Sequence, residues 1–153
     1  EVTLRTERLK TDKREPIPTE HVILIDTVGE LGRLYGAADL VFVGGSLIPH
    51  GGQNMLEPVM FGKPTLFGPY DDNFREPVDR LLAADGARRV EDEAALVLAL
   101  QELLRDPELA RSMGERGRRA LTSAQGATGQ TVSILKAFAK ERVRPAKSSV
   151  RRP

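Results

Sequence analysis

Three short, almost unbroken apolar runs, each followed by a turn or glycine-rich stretch, restrict this chain more than any other feature. Val22-Ile23-Leu24-Ile25 leads into a helix expected from near Thr27, and Leu40-Val41-Phe42-Val43 into a glycine-rich loop and a helix from about Asn54. Thr65-Leu66-Phe67 obeys the same rule, and Arg88-Arg89-Val90 is a weaker fourth strand. A sheet with one wet face alternates apolar and polar positions, so runs apolar on both sides predict a parallel sheet covered by helices. The expected fold class is α/β, a Rossmann-like parallel sheet with flanking helices.

Helical patterns dominate the chain beyond Val90. Asp92 is placed to cap a segment reaching Leu104, Asp106-Pro107 starts another, and a third runs from about Gly126 to Arg142. Leu96, Ala99, Leu100, Leu103 and Leu104 share one helical face. At the other end, Thr3 to Pro18 reads as a strand end plus a polar connection. Residues 143–153 are basic, contain proline and lack apolar periodicity, which predicts a disordered tail. Residues 1–142 then form one domain. It is expected to be partial, truncated at its N-terminal side, because a complete doubly wound sheet usually has five or six strands and the sequence starts without a methionine.

Composition sets outer bounds. With 153 residues, 40% of them hydrophobic, the chain can bury one core of ordinary size. Its 23 Lys+Arg against 22 Asp+Glu leave a net charge of +1, which gives no case for a nucleic-acid partner. The lack of cysteine excludes disulfides, thiolate metal sites and thiol nucleophiles, and fits a reducing compartment.

Two segments are candidates for chemistry. In Asp26-Thr27-Val28-Gly29-Glu30 a strand gives way to a helix, whose free N–H groups can hold an anion or the edge of a base. The commoner explanation of Thr27 and Glu30 is a capping box. The second segment, Gly44 to Pro58, reads GGSLIPHGGQNMLEP. Its four glycines let the backbone approach a ligand at the carboxyl edge of a parallel sheet, where open α/β sheets bind their ligands. Asn54 and Glu57 also have capping-box spacing, and Pro58 is tolerable in a first helical turn. In the functional alternative, Glu57 accepts hydrogen bonds from vicinal ribose hydroxyls, for which a carboxylate offers two oxygens. Neither a P-loop nor a dinucleotide-binding fingerprint is present.

Other chemistry-bearing residues have plainer readings. His21 precedes a strand and is expected at the surface, whereas His50 is either a phosphate contact or a solvated loop residue. Asp71, Asp72 and Asn73 read as a polar turn in which Asn73 caps the next helix, rather than as metal ligands. No metal-ligand cluster has convincing spacing.

The string from Ile25 to Phe74, with DTVGEL, FVGGS, GGQNMLEP, GKPTLFGP and NF, resembles the C-terminal half of the 3-deoxy-D-manno-octulosonic acid (Kdo) transferases. The similarity runs from about Val22 to near Arg142. It implies the C-terminal half of a GT-B fold and transfer of Kdo from CMP-Kdo to a lipid A precursor, at the cytoplasmic face of the bacterial inner membrane. By the same resemblance Val28, Gly29 and Glu30 line the cytosine, Gly45 and Ser46 approach the phosphate, and Asn54 with Glu57 holds the ribose. His50, Gly51, Gly52 and Gln53 are further candidates for the phosphate.

The resemblance implies neither a metal nor a cofactor beyond the donor. It puts the acceptor-activating carboxylate in an N-terminal domain outside this chain, so these residues alone are expected to be inactive and to need that domain as partner. The sequence departs from the family pattern at Val28 (usually Met), His50 (often Arg), Gln53 (His) and Met55 (Pro, at the first helical position). A UDP-sugar epimerase or another GT-B transferase, and a non-catalytic sugar-nucleotide-binding module, are the competing expectations.

Overall fold

The computed structural model describes residues 2–8 and 21–123, together with the helical positions 136 and 138. The connection at 9–20, most of the expected third helix and the basic tail lie outside these residues. Among the described residues there are five strands: β1 (Val2–Leu4), β2 (Val22–Leu24), β3 (Val41–Val43), β4 (Thr65–Phe67) and β5 (Arg88–Arg89). All pairings are parallel, but they fall into a two-stranded sheet, β1-β2, and a three-stranded sheet, β3-β4-β5. The helices are α1 (Arg5–Arg8), α2 (Leu31–Ala37), α3 (Leu56–Met60), α4 (Arg75–Ala83), α5 (Glu93–Arg105) and α6 (Pro107–Ser123), with a 3₁₀ turn at Asp72–Phe74.

The three-stranded sheet carries the core on both faces. Because strand side chains alternate, Phe67 and Leu66 of β4 point in opposite directions, and both are fully buried. Phe67 packs with Val43, Met55, Val59, Val78 and Leu81, residues of or beside β3, α3 and α4. Leu66 packs with Val90, Ala99, Leu103, Ala110 and Met113, joining the sheet to α5 and α6. Burying a side chain of this size stabilises the fold by roughly 1.5–3 kcal/mol. The expectation of strands covered on both faces fails at β2. Val22 and Leu24 are exposed, as is Val2 on β1, while Ile23 and Ile25 are half-buried.

Helix ends obey local rules where the sequence supplies them. Asp92 accepts a hydrogen bond from the Ala95 amide at 2.8 Å and starts α5, and Asp106 accepts one from Leu109 at 2.9 Å and starts α6. Helix α3 stops in a Schellman turn: Gly62, at φ +71°, donates to the Val59 carbonyl, and Lys63 donates to that of Pro58. Helix α4 stops in the same way, with Asp85 at φ +47° in the position glycine usually takes. Two expectations need correcting here. Helix α2 starts at Leu31 rather than near Thr27, and Leu104 of the supposed core face is 64% exposed.

Helix α6 is seated by glycines. A Cβ on Gly114 would lie 2.0 Å from the Gly62 carbonyl oxygen, and one on Gly117 would lie 2.3 Å from that of Gly86. The helix therefore touches backbone directly at two points, the turn ending α3 and the turn ending α4. We predict that Gly114→Ala costs about 1–3 kcal/mol by overpacking, whereas Gly36→Ala on open α2 gains about 0.5–1 kcal/mol. Urea denaturation of the two variants checks the opposite signs.

Candidate functional site

Val43 is the last residue of β3, and the chain beyond it folds back on itself before α3. The fold of this loop depends on Ser46, which has no exposed surface. Its hydroxyl donates to the Val43 carbonyl at 2.5 Å and accepts from the Gly68 amide at 2.8 Å. Gly68 comes directly after β4, so one side chain joins the exits of two adjacent strands. Gly68 must be glycine, since a Cβ there would stand 2.2 Å from the Ser46 carbonyl oxygen. The amides of Gly52 and Tyr70 then donate to the carbonyls of Gly45 (3.2 Å) and Ser46 (3.0 Å), closing the loop. Gly45, Gly51 and Gly52 all have positive φ, which glycine adopts without strain.

The loop presents its polar side chains outward. His50, Gln53, Asn54 and Glu57 are exposed at the carboxyl edge of the sheet, and Gly51 and Gly52 are half-exposed. Asn54 Oδ1 accepts from the Leu56 amide at 3.0 Å, while its Nδ2 donates to Glu57 Oε1 at 3.0 Å. This is an Asx turn one residue ahead of the N-cap rather than the capping box the spacing suggests, and Glu57 bonds to the Asn54 side chain rather than to a backbone amide. Met55, not the first helical residue but the position before it, is wholly buried. Glu57 thus stands oriented in the first turn of α3 with acceptor capacity left for a diol.

The Asp26–Glu30 segment sits at the carboxyl end of β2. Here too the capping-box expectation is corrected: the Thr27 hydroxyl donates to the Glu30 carboxylate, and Glu30 is the N-cap of α2 without capping it through its side chain. Arg5 of α1 pairs with Glu30 at 3.5 Å, and the Thr6 amide and hydroxyl both donate to Asp26. Local spacing carries no hint of these contacts, because 20 to 25 residues separate the partners. Val28 is fully exposed, and Gly29, at φ +88°, is exposed beside it, so residues 28 and 29 form an open ledge next to the half-buried Glu30. The two segments are linked through α2 and α3, where the rings of Tyr35 and Phe61 stand 6.2 Å apart. Burial, with the negative charge of Glu57 adding to it, pushes the Tyr35 phenol above its ordinary pKa.

Two polar residues take unexpected places. Asn73 does not cap α4, whose N-cap is Phe74; its Nδ2 donates to the Gly51 carbonyl at 3.4 Å. His21 is half-buried, with Nε2 2.6 Å from the Thr3 hydroxyl across β1 and β2. Among the described residues no group of three or more His, Asp or Glu is placed to hold a metal ion. A cavity of about 420 Å³ opens at the opposite, amino edge of the sheet, between Leu40, Lys63, Pro64, Leu103 and Pro107. The glycine loop is therefore an open shelf rather than part of that cavity.

No protein-family model matches the chain. A 3-deoxy-D-manno-octulosonic acid transferase of Haemophilus influenzae is 38% identical over 130 residues, 83% of this chain and 30% of that protein. One from Bordetella pertussis is 40% identical over 122 residues, 79% of this chain and 28% of its own length. The chain belongs to the Kdo transferase family. A solved structure, the C-terminal CMP-Kdo binding domain of WaaA from Acinetobacter baumannii, superposes with a TM-score of 0.68 at 29% identity. That match covers 78% of this chain and 60% of the other, and it identifies the fold as the C-terminal half of a GT-B transferase. The chain spans about 30% of the length of these Kdo transferase relatives.

Two measurable outcomes arise from the geometry. Ser46→Ala leaves the Gly68 amide buried without its partner and is expected to cost about 1–3 kcal/mol, measured by chemical denaturation. The Thr6 hydroxyl holds the Asp26 carboxyl below the usual aspartate range, with the Thr6 amide and Arg5 adding to this against desolvation. A depressed folded-state pKa stabilises above the unfolded value, and that contribution is lost as pH falls through the folded one. An NMR titration of Asp26 should therefore show a lower midpoint in the native chain than in Thr6→Val.

Proposed function

We propose that this chain is the donor-binding part of a Kdo transferase, which holds CMP-Kdo and stabilises the departing CMP. The observation that carries the reading is the exposed Asn54–Glu57 pair on a glycine-built shelf, within a chain 38% identical to a Kdo transferase. In this reading Glu57 accepts hydrogen bonds from the vicinal ribose hydroxyls, and Asn54 fixes the carboxylate that does so. Val28, Gly29 and Glu30 line the cytosine. Gly45 and the 50–53 stretch lie along the phosphate, with His50 and Gln53 as side-chain donors. Ser46 acts from beneath, as the anchor that shapes the shelf, since its hydroxyl is already engaged on both sides.

In the reaction proposed for the whole enzyme, a hydroxyl oxygen of the lipid A precursor bonds to the anomeric carbon of Kdo. The bond from that carbon to the phosphate oxygen breaks, CMP leaves with the electron pair, and a base takes the hydroxyl proton. The base is assigned to the part of the family's proteins that this chain does not match, an N-terminal domain. The setting is the cytoplasmic face of the bacterial inner membrane, where the acceptor lipid is presented.

Calorimetry tests the reading directly. CMP should bind more tightly than UMP, and Glu57→Gln should weaken CMP binding about tenfold while the unfolding free energy stays within about 0.5 kcal/mol of wild type. Preference for UMP, or lost stability at unchanged affinity, would count against it. The 153 residues alone should bind the donor yet release no Kdo to an acceptor.

A further inference from the structure

Two neighbouring arginines on β5 form two ion pairs that serve different parts of the molecule. Arg88 Nη1 donates to Glu102 of α5 at 2.6 Å, tying the strand to a helix away from the shelf. Arg89 reaches Asp71 instead, with Nε at 3.1 Å and Nη2 at 2.5 Å from the same Oδ2. The Asp71 side chain is only 7% exposed, and that of Arg89 33%. A carboxylate buried to this degree is costly to leave unpaired, so the pair holds the Asp71 backbone against β5.

Asp71 opens the turn that bounds the glycine loop. Its carbonyl accepts from the Phe74 amide at 2.8 Å, which closes the turn around Asn73. Asn73 in turn reaches the Gly51 carbonyl, and a Cβ on Gly51 would come within 2.9 Å of its Nδ2. On the other side of Asp71, Tyr70 donates its amide to Ser46, and its carbonyl oxygen lies 2.9 Å from where a Cβ on Gly52 would stand. Tyr70 and Asn73, on either side of Asp71, therefore lie so close to Gly52 and Gly51 that neither position has room for a side chain, and these are the two glycines just ahead of Asn54 and Glu57.

We propose that Arg89 and Asp71 are positioning residues for the donor grip. Their ion pair fixes the 70–74 turn, the turn sets the backbone of Gly51 and Gly52, and donor affinity depends on a contact that never touches the ligand. The assignment rests on the CMP-sugar reading of the loop, so its test includes a measurement made without nucleotide.

That measurement is amide hydrogen exchange at Gly52, whose N–H is bonded to the Gly45 carbonyl. It is paired with calorimetry against CMP, using the 153-residue chain. Asp71→Asn and Arg89→Gln should each speed exchange at Gly52 and weaken CMP binding roughly three- to thirtyfold, the range of couplings carried by packed networks. Arg89→Lys keeps the charge and should show a smaller effect on both. The double variant should recover part of what Arg89→Gln loses, because no unpaired carboxylate remains. Arg88→Gln removes an ion pair from the same strand and should leave Gly52 exchange and CMP affinity unchanged.

Unaltered Gly52 exchange in Asp71→Asn and Arg89→Gln would overturn the proposal. So would an Arg88→Gln variant that moves exchange and affinity as far as Arg89→Gln does. If the exchange pattern holds but the wild-type chain binds no CMP, the positioning role stands and the donor reading fails.

Discussion

The hydroxyl of Ser46 is the contact on which the rest of the shelf depends. It satisfies the last carbonyl of β3 and the first free amide after β4 at once, in a place sealed from water. Strand exits of a parallel sheet diverge into separate connections, and their backbone groups need partners wherever the sheet ladder stops. A serine at this point brings two such exits together. The close approach makes Gly68 obligatory, and the folded-back loop requires positive φ at Gly45, Gly51 and Gly52. The outward display of Asn54 and Glu57 is the last step of that chain of constraints.

Much of this was legible in the residues. The near-continuous apolar runs at 22–25, 40–43 and 65–67 predict the parallel strands because the periodicity of burial is a local property. Asp92 and Asp106 predict their helix starts because a cap is satisfied within three residues. The glycine-rich loop stood out as a candidate site from its place after a buried strand, and it folds as an open shelf at that strand's carboxyl end. Membership of the Kdo transferase family was carried by the motif string, which the relatives bear out.

What could not be read was which partner each polar side chain takes, whether a neighbour or a distant residue. Thr27 with Glu30, and Asn54 with Glu57, have the spacing of capping boxes. In the folded chain Glu30 takes the Thr27 hydroxyl and Arg5, and Glu57 takes the Asn54 side chain, so neither carboxylate reaches a backbone amide. Asn73 looked like a cap and is a brace on Gly51; Ser46 looked like a ligand contact and is an anchor. Spacing reports which partners are within reach along the chain. It is silent about which of those partners is taken and about one arriving from twenty residues away.

The glycine seats of α6 carry a consequence for the order in which this domain can be made. The turns that close α3 and α4 are rigidly seated only once Gly114 and Gly117 lie against Gly62 and Gly86. A ribosome delivers those two helical glycines roughly sixty residues after Glu57, several seconds later at ordinary rates of synthesis. During that interval the nascent shelf has its strands and loop but lacks the helix that braces the turns behind them. Until α6 is delivered, the emerging chain leaves the apolar surface that α6 will cover on α3 and α4 open to water.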